Sequence, residues 1–226
     1  MSTRTASSTN LSTWFKVLSI LLNLGAFITF GIISLMAVVM LAQALPTTTD
    51  KAYWFVSRSS GVLAYLLLTG GVMWGLVQSG NILRPTIPPL LALGLHSFLN
   101  WGALVMSALH GFILLGDNYI KMSLPDIIIP FIGPYKPFLV GLGVMGFYLM
   151  FLLSSSFYAR KWLGQKTFRA LHYGSYPTFL LVTWHGLGAG TDSGLMWLIS
   201  ILSLGTVSIL TLWRIANTTP GVAATR

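Results

Sequence analysis

The length of the uncharged apolar stretches is what most constrains the fold of this chain. Residues 17–46 contain no charged side chain, and roughly 20 apolar residues in a helix suffice to cross the hydrocarbon core of a bilayer. The stretch is also longer than the apolar core of about 7–15 residues in a cleavable signal peptide. It therefore predicts a retained transmembrane helix.

Five more apolar segments follow, so the sequence predicts six transmembrane helices. Because lipid offers backbone groups no hydrogen-bond partners, segments of this length are expected to be helical. The stretches PTTTDK, 84–89, 117–136, ARKWLGQK and GTDSG separate the six segments, which cover residues 14–44, 54–78, 89–116, 137–158, 167–188 and 194–214.

The predicted fold is therefore an all-α integral membrane protein, a six-transmembrane-helix bundle over residues 14–215. A disordered cytoplasmic N-terminus is expected at 1–13 and a short cytoplasmic tail at 216–226. The composition agrees, because 54% of the residues are hydrophobic and only 8% are charged, against about 25% charged residues in soluble domains. The absence of cysteine excludes disulfides, thiolate-bound iron–sulfur clusters and c-type haem.

The basic residues predict the orientation of the bundle. With both termini in the cytoplasm, all four acidic residues lie outside and most of the 13 Lys and Arg residues lie inside, which is the usual cytoplasmic bias. The net charge of +9 is thus attributed to membrane topology, and no nucleic-acid partner is expected. The residues expected inside are Arg4, Lys16, Arg84, Arg160, Lys161, Lys166, Arg169, Arg214 and Arg226.

All four histidines lie in two of the predicted helices at matched spacings. His96 and His110 are fourteen residues apart in the third segment, and His172 and His185 are thirteen apart in the fifth. These segments run in the same direction, and a rise of about 1.5 Å per residue separates the histidines of each by roughly 20 Å. His96 and His172 are therefore expected near the cytoplasmic side, and His110 and His185 near the outer side.

Helical phase adds a stricter condition. Fourteen residues at about 100° each place His96 and His110 on one face, whereas thirteen residues miss four full turns by about 140°. A straight fifth helix would therefore point His185 away from the face of His172. Proline kinks or rewinds a helix, and we interpret Pro177, with Gly174 nearby, as the residue that brings His185 back to this face.

Iron porphyrin is the cofactor that suits two such histidine pairs. Imidazole is a good ligand for iron, and helical bundles build cofactor sites between facing helices. Two axial histidines leave the iron no open position, which favours electron transfer over activation of a bound molecule. Hydrogen-bonded structural histidines, a proton relay and a zinc site are the alternatives. Zinc usually needs four ligands around one point, and the predicted spans contain no acidic residue for a relay.

Between about residues 58 and 192 the chain resembles the ferric-reductase-like transmembrane domain family. The resemblance rests on RSSGVLAYLLL, LHSFLNWGALVMSALHG, PFIGPYKPFLVGLGVMGFYL and RALHYGSYPTFLLVTWHGLGAGTDS. The family includes ferric reductases, NADPH oxidases and the haem membrane subunit of a bacterial methionine sulfoxide reductase system. The resemblance implies two b haems per chain, with His96 and His172 as the inner axial ligands and His110 and His185 as the outer ones.

The partners are also implied by this resemblance. The chain is most similar to short bacterial members, which implies a multi-pass protein of the bacterial cytoplasmic membrane, surrounded by lipid. It ends shortly after its last segment, whereas the oxidases and ferric reductases usually append a flavin and nicotinamide domain. We therefore expect a separate cytoplasmic flavin/NAD(P)H reductase or a quinol as donor. Ferric iron, oxygen, a quinone or a redox protein is expected as the acceptor outside.

Several further residues are candidates for contact with the cofactors. The resemblance suggests Arg58 near the outer haem, and Arg169 could serve the inner propionates; both could instead be membrane-interface anchors. Phe179 lies midway between His172 and His185 and could separate the two macrocycles or simply pack. Trp101 and Trp184 could wall the pockets. The Gly71 and Gly75 pair is interpreted as a helix-packing motif.

These observations favour a transmembrane b-type cytochrome that relays single electrons outward, an electron-transfer subunit of an oxidoreductase. A membrane anchor whose haem is mainly structural, or which forms a quinone site for a partner enzyme, is the second hypothesis. A haem-free transporter or channel with polar histidines is the third.

Overall fold

The structure is a computed structural model that describes residues 49–80, 82, 87–190 and 193–218, and each regular element within them is a helix. The predicted all-α class is thus confirmed for the described residues. Their helices are α1 (Thr49–Ser79), α2 (Pro89–Phe112) with a 3₁₀ turn (Ile113–Gly116), α3 (Leu124–Ile128), α4 (Pro137–His172), α5 (Ser175–Ala189) and α6 (Ser193–Thr218).

Four of these helices are long and apolar enough to cross a membrane: Ala52–Ser79, Pro89–Gly116, Pro137–His172 and Gly194–Asn217. They correspond to the predicted second, third, fourth and sixth segments, and they identify the chain as a membrane protein. The predicted first segment at 14–44, the N-terminus at 1–13 and residues 219–226 of the predicted tail lie outside the described residues.

The packing of the helices is that of a bundle in lipid. Helix α1 packs along α2 and also contacts α5 and α6, while α4 packs along α5. The shared core includes Tyr65, Ala103 and Phe179, which are at most 2% exposed. Large apolar side chains cover the outside, among them Ile209 at 69% and Leu212 at 66% exposure on α6. Such a surface is suited to acyl chains.

The polar stretch ARKWLGQK, predicted as a connection between two spans, is helical. Helix α4 continues through it from Pro137 to His172, and only Gly164 departs from helical geometry, with φ 76° and ψ 157°. Glycine alone adopts this conformation at low cost. The other residues of the stretch are mostly good helix formers, so the polarity marks a change of surroundings while the glycine bends the helix.

The predicted continuous fifth segment is also corrected, because the helix breaks at Tyr173 and Gly174. Helix α4 ends at His172 and α5 begins at Ser175. Pro177 has no N–H to donate to the Tyr173 carbonyl, which instead accepts from Tyr176 N at 3.2 Å. The interruption expected from Pro177 therefore exists, but it lies before the proline, which occupies the first turn of α5, where proline is tolerated. His172 and His185 consequently belong to different helices.

Candidate functional site

The four histidines form two pairs, each made of one residue from α2 and one from α4 or α5. The ring centroids of His96 and His172, the inner pair, are 6.0 Å apart. Those of His110 and His185, the outer pair, are 5.9 Å apart. The structure thus brings together the same partners that the sequence spacing paired.

The separation within each pair suits a single metal between the two rings. A ring nitrogen lies about 1 Å from the centre of its imidazole, and metal–imidazole bonds are about 2.0–2.1 Å long, so two imidazoles on opposite sides of one metal have centroids about 6 Å apart. No hydrogen bond joins the two rings of either pair among the described residues. The residues therefore fit a bis-histidine haem in their spacing.

The outer pair is held by backbone carbonyls. His110 Nδ1 donates to the Ser57 carbonyl at 2.6 Å, and the Ser57 hydroxyl donates to the His110 carbonyl at 3.1 Å. His185 Nδ1 donates to the Leu139 carbonyl at 2.8 Å. Because Nδ1 is engaged in both rings, Nε2 is the nitrogen left for a ligand, and a hydrogen bond at the other nitrogen is the usual support of a metal-binding histidine.

The inner pair is held differently. His96 has a backbone interaction with Gly71, although its buried Nδ1 makes no hydrogen bond of good geometry to a described residue. His172 is exposed, and its ring stacks on Phe168 with 5.6 Å between centroids and 27° between planes. The two pairs therefore differ mainly at His172, which is held by ring stacking, whereas each of the other three rings contacts a backbone carbonyl or a glycine.

Glycines on the facing helices allow three of the four rings to approach. A Cβ atom at Gly61 would lie 2.8 Å from His110 Nδ1, one at Gly143 would lie 2.7 Å from His185 Nδ1, and one at Gly75 would lie 3.3 Å from His96 Cε1. Gly61 and Gly75 are fourteen residues apart, as are the histidines that they face. This matched spacing is a signal in the sequence that could have indicated which glycines face the histidines. Gly75, interpreted as a packing residue, also borders a histidine.

Each pair lines a cavity of a size suited to a cofactor, since ligand pockets measure about 300–1,000 Å³. The inner cavity has a volume of about 680 Å³ and the outer cavity about 460 Å³. Met150 lines both, and its side chain is 4% exposed. The two cavities therefore lie next to each other along the bundle, with this methionine at their boundary.

The segment between α2 and α4 covers part of the outer cavity. Its residues Met122 and Ile127 line that cavity, and helix α3 is fixed by Asp126, which accepts from Ser123 N at 2.8 Å and from Ser123 Oγ at 2.6 Å. These two hydrogen bonds lower the pKa of Asp126. Tyr148 Oη donates to the Ile128 carbonyl at 2.6 Å and ties α3 to α4.

The arginines are distributed unequally between the cavities. Arg58 lines the outer cavity and lies over the ring of Trp54 at 4.7 Å. Arg169 lines the inner cavity, as do Arg160 and Arg214, which the sequence had marked only as basic residues. Both predicted arginines thus border the cavity to which they were assigned.

The predicted aromatic residues have different positions. Phe179 is 1% exposed, stacks on Tyr65 at 6.0 Å and lines neither cavity. Trp101 lines the inner cavity. Trp184 is 60% exposed and contacts Phe138 outside both cavities, so it does not wall a pocket. Phe179 fills the protein core, whereas Met150 lies at the boundary of the cavities.

Comparison with protein-family models, with curated proteins and with solved structures finds no match for this chain.

Proposed function

We propose that this protein is a transmembrane b-type cytochrome that relays single electrons from a cytoplasmic donor to an acceptor on the outer face. It would hold two haems b, one between His96 and His172 and one between His110 and His185. One observation carries the proposal: two imidazole pairs, each at the centroid separation of about 6 Å expected for a shared metal, border two adjacent cavities.

The residues of the outer site have distinct roles in this proposal. The carbonyls of Ser57 and Leu139 accept the Nδ1 protons of His110 and His185, which orients the rings and raises their basicity as ligands. Gly61 and Gly143 leave room for the rings. Apolar neighbours such as Val62 and Phe147 line the cavity and would exclude water. Haem, when bound, supplies a one-electron iron couple.

The arginines suit the anionic edges of the cofactors. Arg58 would pair with a propionate at the outer site, and Arg169 would do so at the inner site, since guanidinium binds carboxylate with two parallel hydrogen bonds. Arg160 and Arg214 border the inner cavity as well. We propose that this basic opening also attracts a cytoplasmic flavin/NAD(P)H reductase or a quinol.

The direction of transfer follows from the proposed topology of six crossings with both termini in the cytoplasm. The inner end of the described bundle carries Arg160, Arg169 and Arg214, in keeping with the cytoplasmic excess of basic residues. A bacterial cytoplasmic membrane, negative inside, would favour outward movement of an electron by about 2.3 kcal/mol per 100 mV. Ferric iron, oxygen, a quinone or a redox protein is the proposed acceptor.

Transfer across vesicles that contain the purified protein tests the relay. Dithionite is added outside, a ferric chelate is trapped inside, and its reduction is followed together with the haem spectrum. We expect chelate reduction well above that of protein-free vesicles, and a rate near that baseline for the His96→Ala/His172→Ala variant. Baseline rates in a wild-type protein with two haems would indicate the membrane-anchor function instead. A colourless wild-type protein would indicate a haem-free transporter.

A further inference from the structure

His172 is the least restrained of the four histidines. It lines the inner cavity, and its ring makes no hydrogen bond to any described residue. Its aromatic neighbours are His96, the other member of its pair, and Phe168, four residues before it on the same helix. His185 has both a hydrogen bond to the Leu139 carbonyl and a close fit against Gly143.

The backbone that carries His172 is bounded by two interruptions. Gly164 has φ 76°, and the helix breaks again at Tyr173 and Gly174. Residues 165–172 thus form an eight-residue helical segment, and helices shorter than about 12–15 residues are marginal without support from neighbours. Phe168 supplies such support, because its ring contacts Phe157 at 6.5 Å and lies under the Arg160 guanidinium at 5.9 Å.

Both partners of Phe168 belong to the first part of the same helix α4. The segment 165–172 is joined to the first part of α4 through Gly164, and it supplies none of the hydrogen bonds or glycine contacts that hold the other three histidines.

We propose that His172 would be a displaceable ligand of a haem in the inner site, and that this site would bind a neutral diatomic molecule, such as carbon monoxide or nitric oxide, in its place. In this exchange the His172 ring would give up its place on the haem to the diatomic molecule. His172 leaves as neutral imidazole, and neither an electron nor a proton is transferred. The inference rests on the proposed function, because it requires haem at the inner site.

The exchange has a defined kinetic form. The diatomic molecule binds only the fraction of molecules in which His172 is detached, so the apparent affinity is reduced by that fraction. The observed rate of binding should level off at high ligand concentration, where detachment of His172 becomes limiting. The outer site should not react, because both of its histidines are fixed by carbonyls and glycines.

Carbon monoxide added to the dithionite-reduced full-length protein provides the test. We expect one carbon monoxide bound per chain containing two haems, with a rate that saturates, and no binding by the His96→Ala/His172→Ala variant, which keeps only the outer haem. Binding of none or two per chain, or binding that persists in this variant, would overturn the proposal. Wild-type protein without haem would instead refute the proposed function.

A variant that keeps all four histidines tests the role of the segment. Phe168→Ala removes the ring on which His172 stacks, and the limiting rate should rise several-fold at unchanged haem content. Phe138→Ala is the matched control, because Phe138 contacts Trp184 and lines neither cavity; its rate should equal that of the wild type. An equal rate in all three proteins would contradict the proposal.

Discussion

The outer and inner histidine pairs have nearly the same separation, 5.9 and 6.0 Å between centroids, but they are supported differently. In the outer pair, both rings donate to backbone carbonyls and pack on glycines. In the inner pair, His96 packs on Gly75 and has a backbone interaction with Gly71, whereas His172 lies at the end of a short helical segment and stacks on Phe168. The two pairs thus have nearly the same separation, and they differ in how His185 and His172 are held.

Removing one histidine from each pair tests most directly whether the outer and inner sites hold haem differently. His185→Ala should lose the outer haem, because His110 alone remains in a site built around two fixed rings. His172→Ala should retain more of the inner haem, since the displaceable ligand contributes less to binding. The haem content per chain of each variant is measured by the pyridine haemochrome assay. Greater loss in His172→Ala than in His185→Ala would reverse the comparison.

Glycine substitutions test how closely the histidine rings of the two pairs are packed, and they leave all four histidines in place. Gly143→Ala would place a Cβ atom 2.7 Å from His185 Nδ1, whereas Gly75→Ala would place one 3.3 Å from His96 Cε1. The first requires the ring to move, and overpacking of this kind costs about 1–3 kcal/mol; the second needs a smaller adjustment. Electron paramagnetic resonance of the ferric protein should show a larger change in Gly143→Ala. Equal spectra in the two variants would argue against a close fit of the His185 ring against Gly143.

Loss of the Ser57 hydroxyl should lower the stability of the protein moderately. Ser57→Ala removes the contacts of the hydroxyl with the His110 carbonyl and with His110 Nδ1, each at 3.1 Å, but keeps the Ser57 carbonyl that accepts from His110 Nδ1. A net loss of about 0.5–1.5 kcal/mol is expected for one hydrogen bond. A lower thermal midpoint with unchanged haem content would agree with this division of roles. Complete loss of haem would mean that the hydroxyl is the principal support.

The smallest expected change in stability concerns Asp126, in the segment between α2 and α4 that covers part of the outer cavity. The pKa of Asp126 is lowered by hydrogen bonds from Ser123, so its stabilising contribution is present above the ordinary pKa of aspartate and is lost as the pH falls through the lowered value. Asp126→Asn should therefore reduce the thermal midpoint slightly at neutral pH. The difference from the wild type should disappear in acid, and a constant difference would contradict this origin.

Much of the site was accessible from spacing alone. The intervals of fourteen and thirteen residues indicated which histidines pair, since helical rise and direction fix their depth. The apolar segments at 54–78, 89–116, 137–158 and 194–214 likewise indicated the long helices, because burial of a backbone in lipid demands helix. These signals depend on local periodicity, which the sequence carries directly.

The remaining features depend on three-dimensional contacts or on a single dihedral angle. That Gly164 bends α4 while its polar neighbours stay helical could not be distinguished from a loop by composition. Met150 and Arg214 reach the cavities because of how α4 and α6 pack, and neither has a motif of its own. Trp184 adjoins His185 in sequence, yet it faces outward because adjacent helical residues point about 100° apart.

Haem stoichiometry in paired ligand deletions tests the central claim, that each histidine pair holds one haem. The pyridine haemochrome assay is applied to the wild type, to His96→Ala/His172→Ala and to His110→Ala/His185→Ala, each with its protein concentration measured independently. If each pair holds one haem, the wild type should contain two haems per chain and each double variant one. A wild type without haem, or double variants that retain both haems, would contradict it.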